Sequence, residues 1–149
     1  MQIDFIETQV EALDLEIATY MKKSESYITT IPGIGPILGT VIISEIGDIN
    51  RFSDPAKLVA YAGIDASVKQ SCDFTGTQMH MSKRGSPYLR RAICTAATVA
   101  SHFDPSLSEY YQKLKARGKH HNVAVGAVAR KLTYIIHAVL SENRPYEKR

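Results

Sequence analysis

Residues 30–47 read TIPGIGPILGTVIISEIG: two glycines around one isoleucine, followed by an apolar run. A proline suits the first position of a helix and a glycine suits its C-terminal stop, so the stretch predicts a helix over residues 36–46. Gly33 and Gly35 indicate that something approaches the backbone so closely that side chains must be absent there. Gly39, one turn into the helix, predicts close packing against another helix.

A dinucleotide-binding motif does not fit these glycines, because no strand precedes Gly33, the spacing is GxGxxxG and no βαβ unit follows. A helix-hairpin-helix motif fits better. The backbone N–H groups at the start of its second helix have no intrahelical partner and favour a DNA phosphate. Ile34 then points back as a plug between the two helices, and the hairpin reads the DNA backbone rather than the bases. The alternative is a plain turn with a glycine C-cap, which requires only one glycine.

Ahead of the hairpin, apolar residues alternate at spacings of three and four, which predicts one long amphipathic helix over residues 2–27. These positions, called the seam below, are Ile3, Ile6, Val10, Leu13, Ile17, Tyr20 and Tyr27. Residues 1–30 carry six acidic and two basic side chains, a net charge of −4. We expect the helix to pack against a second copy of itself, giving a homo-oligomer, or against a helix absent from this chain. An ordinary core helix is the alternative.

Downstream, a capping residue followed by proline predicts the start of three further helices. They begin at Pro55, Pro87 and Pro105, and Asn122 is expected to cap a last helix over residues 123–140. Small residues in the helix from Pro87 and in the last helix predict that these two pack closely together.

Residues 64–86 have no helical period and are rich in Ser, Thr, Gly and Asp. Phe74, Met79 and Met81 can alternate across a turn at Gly76, which is compatible with a short β-hairpin. A long irregular segment in a compact domain is usually functional or disordered. The fold is therefore expected to be mainly α, with an N-terminal coiled-coil-like helix, a helix-hairpin-helix, an irregular serine loop and a closing helical bundle.

Basic residues are concentrated in the second half of the chain. Residues 83–131 carry ten basic and two acidic side chains, a net charge of +8. An ordinary surface mixes both signs, so this block predicts a nucleic-acid partner; a solvated helix surface is the alternative. The candidate nucleic-acid-binding residues are Gly33, Gly35, Lys83, Arg84, Arg90, Arg91, Lys119, Arg130 and Lys131.

Cysteine usage and hydropathy suggest a compartment. Cys72 and Cys94 are the only cysteines. Neither lies in a metal-binding spacing, so no metal site and a reducing, cytoplasmic setting are expected. The apolar run over residues 41–46 is broken by Ser44 and Glu45, so no membrane span is expected. The N-terminal stretch MQIDFIETQV is acidic and has no basic region, so no signal peptide is expected.

Four stretches resemble, in order and spacing, the C-terminal transposase domain of the bridge-RNA-guided insertion-sequence transposases. They read IPGIGPILGTVIISEIGD, RFSDPAKLVAYAGIDASVKQS, MSKRGSPYLRRAI and GKHHNVAVGAVARKLTYIIHAVL. In that family, an RNase H-like domain with four acidic residues is joined through a coiled coil to a domain that bears a serine. Residues 1–29 look like the end of the coiled coil, and residues 30–149 like the serine-bearing domain, with the helix-hairpin-helix at 30–47.

The resemblance implies DNA strand exchange through a covalent phosphoserine intermediate. The family's nucleophile lies in a Gln-Ser-Gly-like stretch shortly before the SKxG stretch, which makes Ser71 the candidate nucleophile and Ser82 the runner-up. Cys72 stands where the family often has glycine. The resemblance also implies a guide RNA, and it places the acidic residues and a divalent metal, magnesium, in the partner domain.

The residues alone do not single out Ser71 among the serines. Serine attack on phosphorus requires removal of the hydroxyl proton and neutralisation of negative charge, which Lys83 and Arg84 can supply. Arg90 and Arg91 are better suited to binding the DNA backbone. Without an acidic domain, we expect this chain alone to bind DNA or RNA weakly and to catalyse nothing. A non-catalytic helix-hairpin-helix DNA-binding module and a self-associating scaffold are the competing interpretations.

Overall fold

The computed structural model describes residues 1–66, 70–71, 74–75 and 80–148, and these residues confirm the mainly helical fold. The helices are α1 (Gln2–Lys23), α2 (Pro36–Ile46), α3 (Pro55–Ala62), α4 (Pro87–Phe103), α5 (Pro105–Ala116) and α6 (His121–Glu142). Two 3₁₀ turns (Tyr27–Thr30 and Ile49–Arg51) flank α2, and two short antiparallel strands, β1 (Gln70–Ser71) and β2 (Phe74–Thr75), lie between α3 and α4.

The predicted helix starts at the three capping residues are confirmed. Asp54, Ser86 and Asp104 each accept a hydrogen bond from the backbone N–H three residues later, at 3.1, 3.1 and 2.9 Å. Each satisfies one of the N–H groups that a helix leaves without an internal partner, and proline follows because it has no N–H to lose. The start and end of α2 are also as predicted, with Gly47 at φ +63°.

The core is built around α6, which packs against α3, α4 and α5. Val128, Leu132 and Ile136 of α6 are fully buried, as are the alanines that α4 turns towards the core. By length and apolar composition alone, α6 would suffice to cross a membrane. Its central position in the bundle accounts for that composition.

The cap of α6 differs from the prediction. His120, not Asn122, caps the helix, because its Nδ1 accepts from the N–H of Asn122 at 3.3 Å. Asn122 itself lies in the first turn. Histidine is not among the common N-cap residues, so the sequence favoured the asparagine.

The N-terminal helix ends earlier than predicted, at Lys23, because Glu25 takes a left-handed conformation with φ +51°. A separate 3₁₀ turn follows. From residue 2 to residue 16, every side chain of α1 is exposed, and Met21 is the buried residue that joins the helix to the core. The alternative of an ordinary core helix is therefore wrong for this chain. The seam is exposed, with Ile3 at 71%, Leu13 at 57% and Val10 at 50%.

Candidate nucleic-acid interface

The segment that contains Ser71 leaves the helical body and returns to it at one place. Residues 61–66 and 81–86, called the loop base below, run side by side. Ser82 N–H donates to the carbonyl of Asp65 at 2.8 Å, Lys83 N–H to that of Gly63 at 3.0 Å, and Ser86 N–H to that of Tyr61 at 2.9 Å. Ala66 and Met81 form an antiparallel bridge. The two ends of residues 67–80 are thus held together by backbone hydrogen bonds.

Two glycines let the loop base close. Gly63 and Gly85 have φ +69° and +97°, values that side chains disfavour. A Cβ on Gly63 would lie 2.2 Å from the Arg84 carbonyl oxygen, and one on Gly85 would lie 2.0 Å from that of Tyr61. These distances are far below van der Waals contact, so the two segments approach as closely as they do only because both residues lack a side chain.

Helix α2 holds the loop base through two hydrogen bonds to Glu45. The Glu45 carboxylate accepts from Ser86 Oγ at 2.5 Å, and the Glu45 carbonyl accepts from Tyr61 Oη at 3.2 Å. Because Ser86 also caps α4, one hydroxyl joins α2, the loop base and α4. The position of the loop base is therefore fixed by the helical body.

Ser82 is engaged in holding the loop base. Its hydroxyl donates to the carboxylate of Asp65 and lies 3.4 Å from the N–H of Arg84. Both partners belong to the turn that joins the ends of residues 67–80. Ser82, the runner-up nucleophile, therefore braces the loop base in this structure, and Asp65 is a partner that the sequence did not suggest.

Four of the predicted cationic residues meet at the loop base. Lys83 and Arg84 are exposed within it. Arg90 reaches it from α4, with Nη1 3.4 Å from the Ala62 carbonyl, and Arg130 reaches it from α6, with Nη2 3.4 Å from the Ile64 carbonyl. Carbonyl groups at the C-terminal end of a helix such as α3 carry partial negative charge, which attracts guanidinium groups.

The other predicted cationic residues lie elsewhere. Arg91 is exposed on α4, and Lys119 is exposed in the connection between α5 and α6. Lys131 lies over the ring of Tyr110, with Nζ 4.6 Å from the ring centroid. The sequence therefore identified a basic region of the chain, and the fold brings only part of it to the loop base.

The structure shows which element approaches the backbone of Gly33. Gly33 has φ +90°, and a Cβ there would lie 2.5 Å from the carbonyl oxygen of Ala96 and 3.0 Å from the nitrogen of Ala100, both on α4. Helix α4 is thus the close neighbour. Ile34 is buried, as expected of a plug, and Gly39 packs against Ile28, as the predicted helix contact requires.

Gly35 is in a different situation. It is exposed and precedes α2 without a side-chain cap, and a Cβ there would meet nothing within 4 Å. The N–H groups of Ile37 and Leu38 therefore have no cap within the described part of the chain. Phosphate binding at Gly33 and Gly35 stays a prediction. The element before the hairpin is the 3₁₀ turn of Tyr27–Thr30 rather than the end of a long helix.

Two short strands lie in the segment for which a β-hairpin was predicted. Ser71 in β1 pairs with Phe74 in β2, and Gln70 pairs with Thr75. The predicted turn at Gly76 stays a prediction. Cys72 and the predicted turn residue Gly76 lie outside the described residues, as does Met79. Along the chain, Ser71 lies between the two halves of the loop base, at which the four cationic residues are found.

Several histidines have partners within the protein. His121 Nδ1 lies 2.7 Å from Tyr111 Oη, and His137 Nε2 lies 3.0 Å from the carbonyl of Phe52. With His120 at the cap of α6, three of the five are accounted for.

Comparison with known proteins places the sequence in a family. The model of the Transposase IS116/IS110/IS902 family matches residues 25–112. An uncharacterized 43.6 kDa protein of insertion element IS110 from Streptomyces coelicolor is 30% identical over 97% of this chain and 36% of its own length. The pilin gene-inverting protein of Moraxella bovis is 31% identical over 83% of the chain and 39% of its own length. The transposase for insertion sequence element IS1328 of Yersinia enterocolitica is 27% identical over 94% and 43%.

These matches define the class as transposases and recombinases. The chain belongs to the Transposase IS116/IS110/IS902 family. The chain spans between 36% and 43% of the length of these three relatives.

Proposed function

We propose that this chain is the serine-bearing half of an insertion-sequence transposase that exchanges DNA strands through a phosphoserine intermediate at Ser71. One observation carries the proposal: Lys83, Arg84, Arg90 and Arg130 lie at the loop base, between the two halves of which the chain carries Ser71. Four cationic groups at one place suit a phosphate, and guanidinium groups suit it best because their planar fork matches two of its oxygens.

The chemistry that this proposal assigns to the chain is limited. The Ser71 hydroxyl oxygen forms a bond to phosphorus while the bond from phosphorus to the leaving sugar oxygen breaks. The serine proton passes to a base, and the leaving oxygen gains a proton. The cationic residues of the loop base stabilise the negative charge on the phosphate oxygens as it grows.

The base and the metal are assigned to a partner domain with RNase H-like acidic residues. Within the described residues, no three His, Cys, Asp or Glu side chains come together in a way that could hold a metal ion. Magnesium, when bound in the partner domain, would supply charge stabilisation at the phosphate. The guide RNA also belongs to this larger enzyme. Alone, the chain is expected to bind nucleic acid without cleaving it.

The first test is the salt dependence of DNA binding. If each of the four cations of the loop base neutralises one phosphate, the affinity for duplex DNA should fall roughly tenfold for each doubling of salt. Lys83→Gln should reduce the slope of log K against log salt by about 0.9, whereas Lys57→Gln, on the exposed surface of α3, should leave it unchanged. Fluorescence anisotropy over a salt series measures both slopes. Binding that is insensitive to salt would contradict the proposal.

The second test concerns α1, for which we propose self-association through the seam. Val10 and Leu13 are exposed apolar residues, and a second copy of the helix would cover them. The double change Val10→Gln and Leu13→Gln should shift a dimer towards monomer in sedimentation, with little change in thermal stability.

The matched control for α1 is Leu15→Gln. Leu15 is 71% exposed and apolar but lies outside the seam, so its replacement should leave the mass unchanged. If Leu15→Gln disrupts the dimer as strongly as the double change does, general hydrophobic contact holds the dimer together rather than the seam. An unchanged mass for the double change would contradict the coiled-coil proposal.

The alternative is a non-catalytic helix-hairpin-helix DNA-binding module. The uncapped, exposed start of α2 at Gly35 favours it. It predicts the same salt-dependent binding but no covalent protein–DNA adduct in the full-length enzyme, which is the measurement that separates the two functions.

A further inference from the structure

A groove lined by α5, by α6 and by the segment after α6 combines aromatic, apolar and cationic groups. It has a volume of about 770 Å³ and runs between α5, α6 and the segment after α6. Leu107 and Ala127 belong to its apolar lining, and Tyr110 and Tyr134 contribute aromatic rings. Tyr134 is 46% exposed, so part of this residue is accessible to a ligand.

The segment after α6 forms a fixed wall of the groove. Tyr146 Oη donates to the Asp104 carboxylate at 2.7 Å, and Tyr146 N–H donates to Thr30 Oγ1 at 2.8 Å. Burial and the hydrogen bond to Asp104 raise the pKa of Tyr146 to about 12, so its hydroxyl stays protonated and keeps donating at physiological pH. The groove is therefore held open by two long-range contacts.

The charges of the groove are unbalanced in favour of cations. Glu142 and Glu147 both lie within ion-pair distance of Arg144. Arg130 and Lys131 make no ion pair within the described part of the chain. Lys131 also lies close enough to Glu109 for its charge to lower the pKa of that carboxyl. Two cations that form no ion pair, beside two tyrosine rings, favour an anionic ligand that also presents flat rings.

Arg130 joins the groove to the loop base. Its Nη2 lies 3.4 Å from the Ile64 carbonyl at the loop base, and the same residue lines the groove. A DNA strand with a phosphate at the loop base can therefore continue past Arg130 with its next nucleotides in the groove.

We infer that this groove binds unpaired nucleotides of a single DNA strand, with a base stacked on Tyr134 and the backbone phosphate held by Arg130 and Lys131. Unpaired bases expose a flat face that stacks on aromatic side chains, and stacking tolerates any base sequence. In a duplex, those faces are covered by neighbouring bases. We take the ligand to be DNA because strand exchange unpairs bases beside the reacting phosphate. On this point the inference rests on the proposed function.

The test compares single-stranded and duplex DNA on the 149-residue chain. The probe is fluorescein-labelled oligodeoxythymidylate of about 12 nucleotides, within the range of known single-strand sites, and the competitor is a duplex of equal length. Tyr134→Ala should weaken single-strand binding about tenfold, because stacking on one aromatic ring is lost, and should change duplex binding less than about twofold. Tyr134→Phe keeps the ring and should restore most of the affinity.

The matched control is Tyr88→Ala. Tyr88 is 70% exposed on α4 and does not line the groove, so its loss should leave single-strand binding unchanged. Circular dichroism melting of each variant reports whether the fold is retained.

The possible results distinguish a failure of the groove assignment from a failure of the proposed function. Single-strand binding that survives Tyr134→Ala, or that falls equally in Tyr88→Ala, overturns the groove assignment while salt-dependent duplex binding still supports the proposed function. A tenfold preference for an RNA of equal length also overturns it. Tyr134-dependent binding of single strands without any duplex binding supports the groove and contradicts duplex binding at the loop base.

Discussion

Ser71→Ala in the full-length enzyme is expected to abolish strand exchange and the covalent protein–DNA adduct while DNA affinity stays nearly unchanged. The hydroxyl oxygen is the proposed nucleophile, and removal of a nucleophile elsewhere lowers turnover on the order of 10⁶-fold. The cationic residues of the loop base remain in place and continue to bind phosphate. A denaturing gel with labelled DNA measures the adduct, and anisotropy measures the affinity.

Ser82→Ala is the informative comparison, because Ser82 is the runner-up for the same role. Its hydroxyl is engaged with Asp65 and the N–H of Arg84, so its loss should loosen the loop base and lower activity only in part. An adduct that survives Ser71→Ala but disappears in Ser82→Ala would move the nucleophile to Ser82. The absence of an adduct in the parent enzyme, with binding preserved, would favour the non-catalytic DNA-binding module.

Gly33→Ala is expected to destabilise the fold by about 2–5 kcal/mol, which is a large part of the stability of a typical domain. The new Cβ would stand 2.5 Å from the Ala96 carbonyl oxygen, and the backbone would keep φ +90°. Both penalties arise inside the protein, because α4 cannot move away without disturbing its packing on α6. Urea unfolding followed by circular dichroism gives the free energy of unfolding.

Gly35→Ala is the matched control two residues away. Gly35 has φ −85°, and a Cβ there would meet nothing within 4 Å, so the stability cost should stay within about 1 kcal/mol. If the hairpin binds phosphate through Gly35, the larger side chain of Gly35→Val should weaken DNA binding in a folded protein. Equal stability losses for the alanine variants of Gly33 and Gly35 would contradict the packing interpretation.

The two glycines differ in a way that the sequence did not predict. If the stretch acted only as a DNA-binding hairpin, both glycines would contact the same ligand, and replacing either one would weaken DNA binding without unfolding the protein. The structure gives Gly33 an internal neighbour and leaves only Gly35 open to an outside partner. A glycine pattern shows that something approaches the backbone, and it does not show what.

Short-range features were predicted well from the sequence. The helix starts at Asp54, Ser86 and Asp104 depend on hydrogen bonds that span three residues, so the residue types nearly determine them. The exception is His120, which caps α6 although its residue type rarely does so. Short paired strands were also expected between α3 and α4, and Gln70–Ser71 and Phe74–Thr75 form such a pair.

The sequence by itself determined the helices, their buried faces and the basic half of the chain, because capping, apolar periodicity and charge are properties of neighbouring residues. Only the tertiary structure decided which distant residues meet. Arg90 and Arg130 are 40 positions apart and reach the same turn, and Gly33 approaches a helix more than 60 residues away. The loop base and the groove depend on how α2, α4, α5 and α6 pack together. That packing is set by the shape of the whole core, which no local pattern of residues specifies.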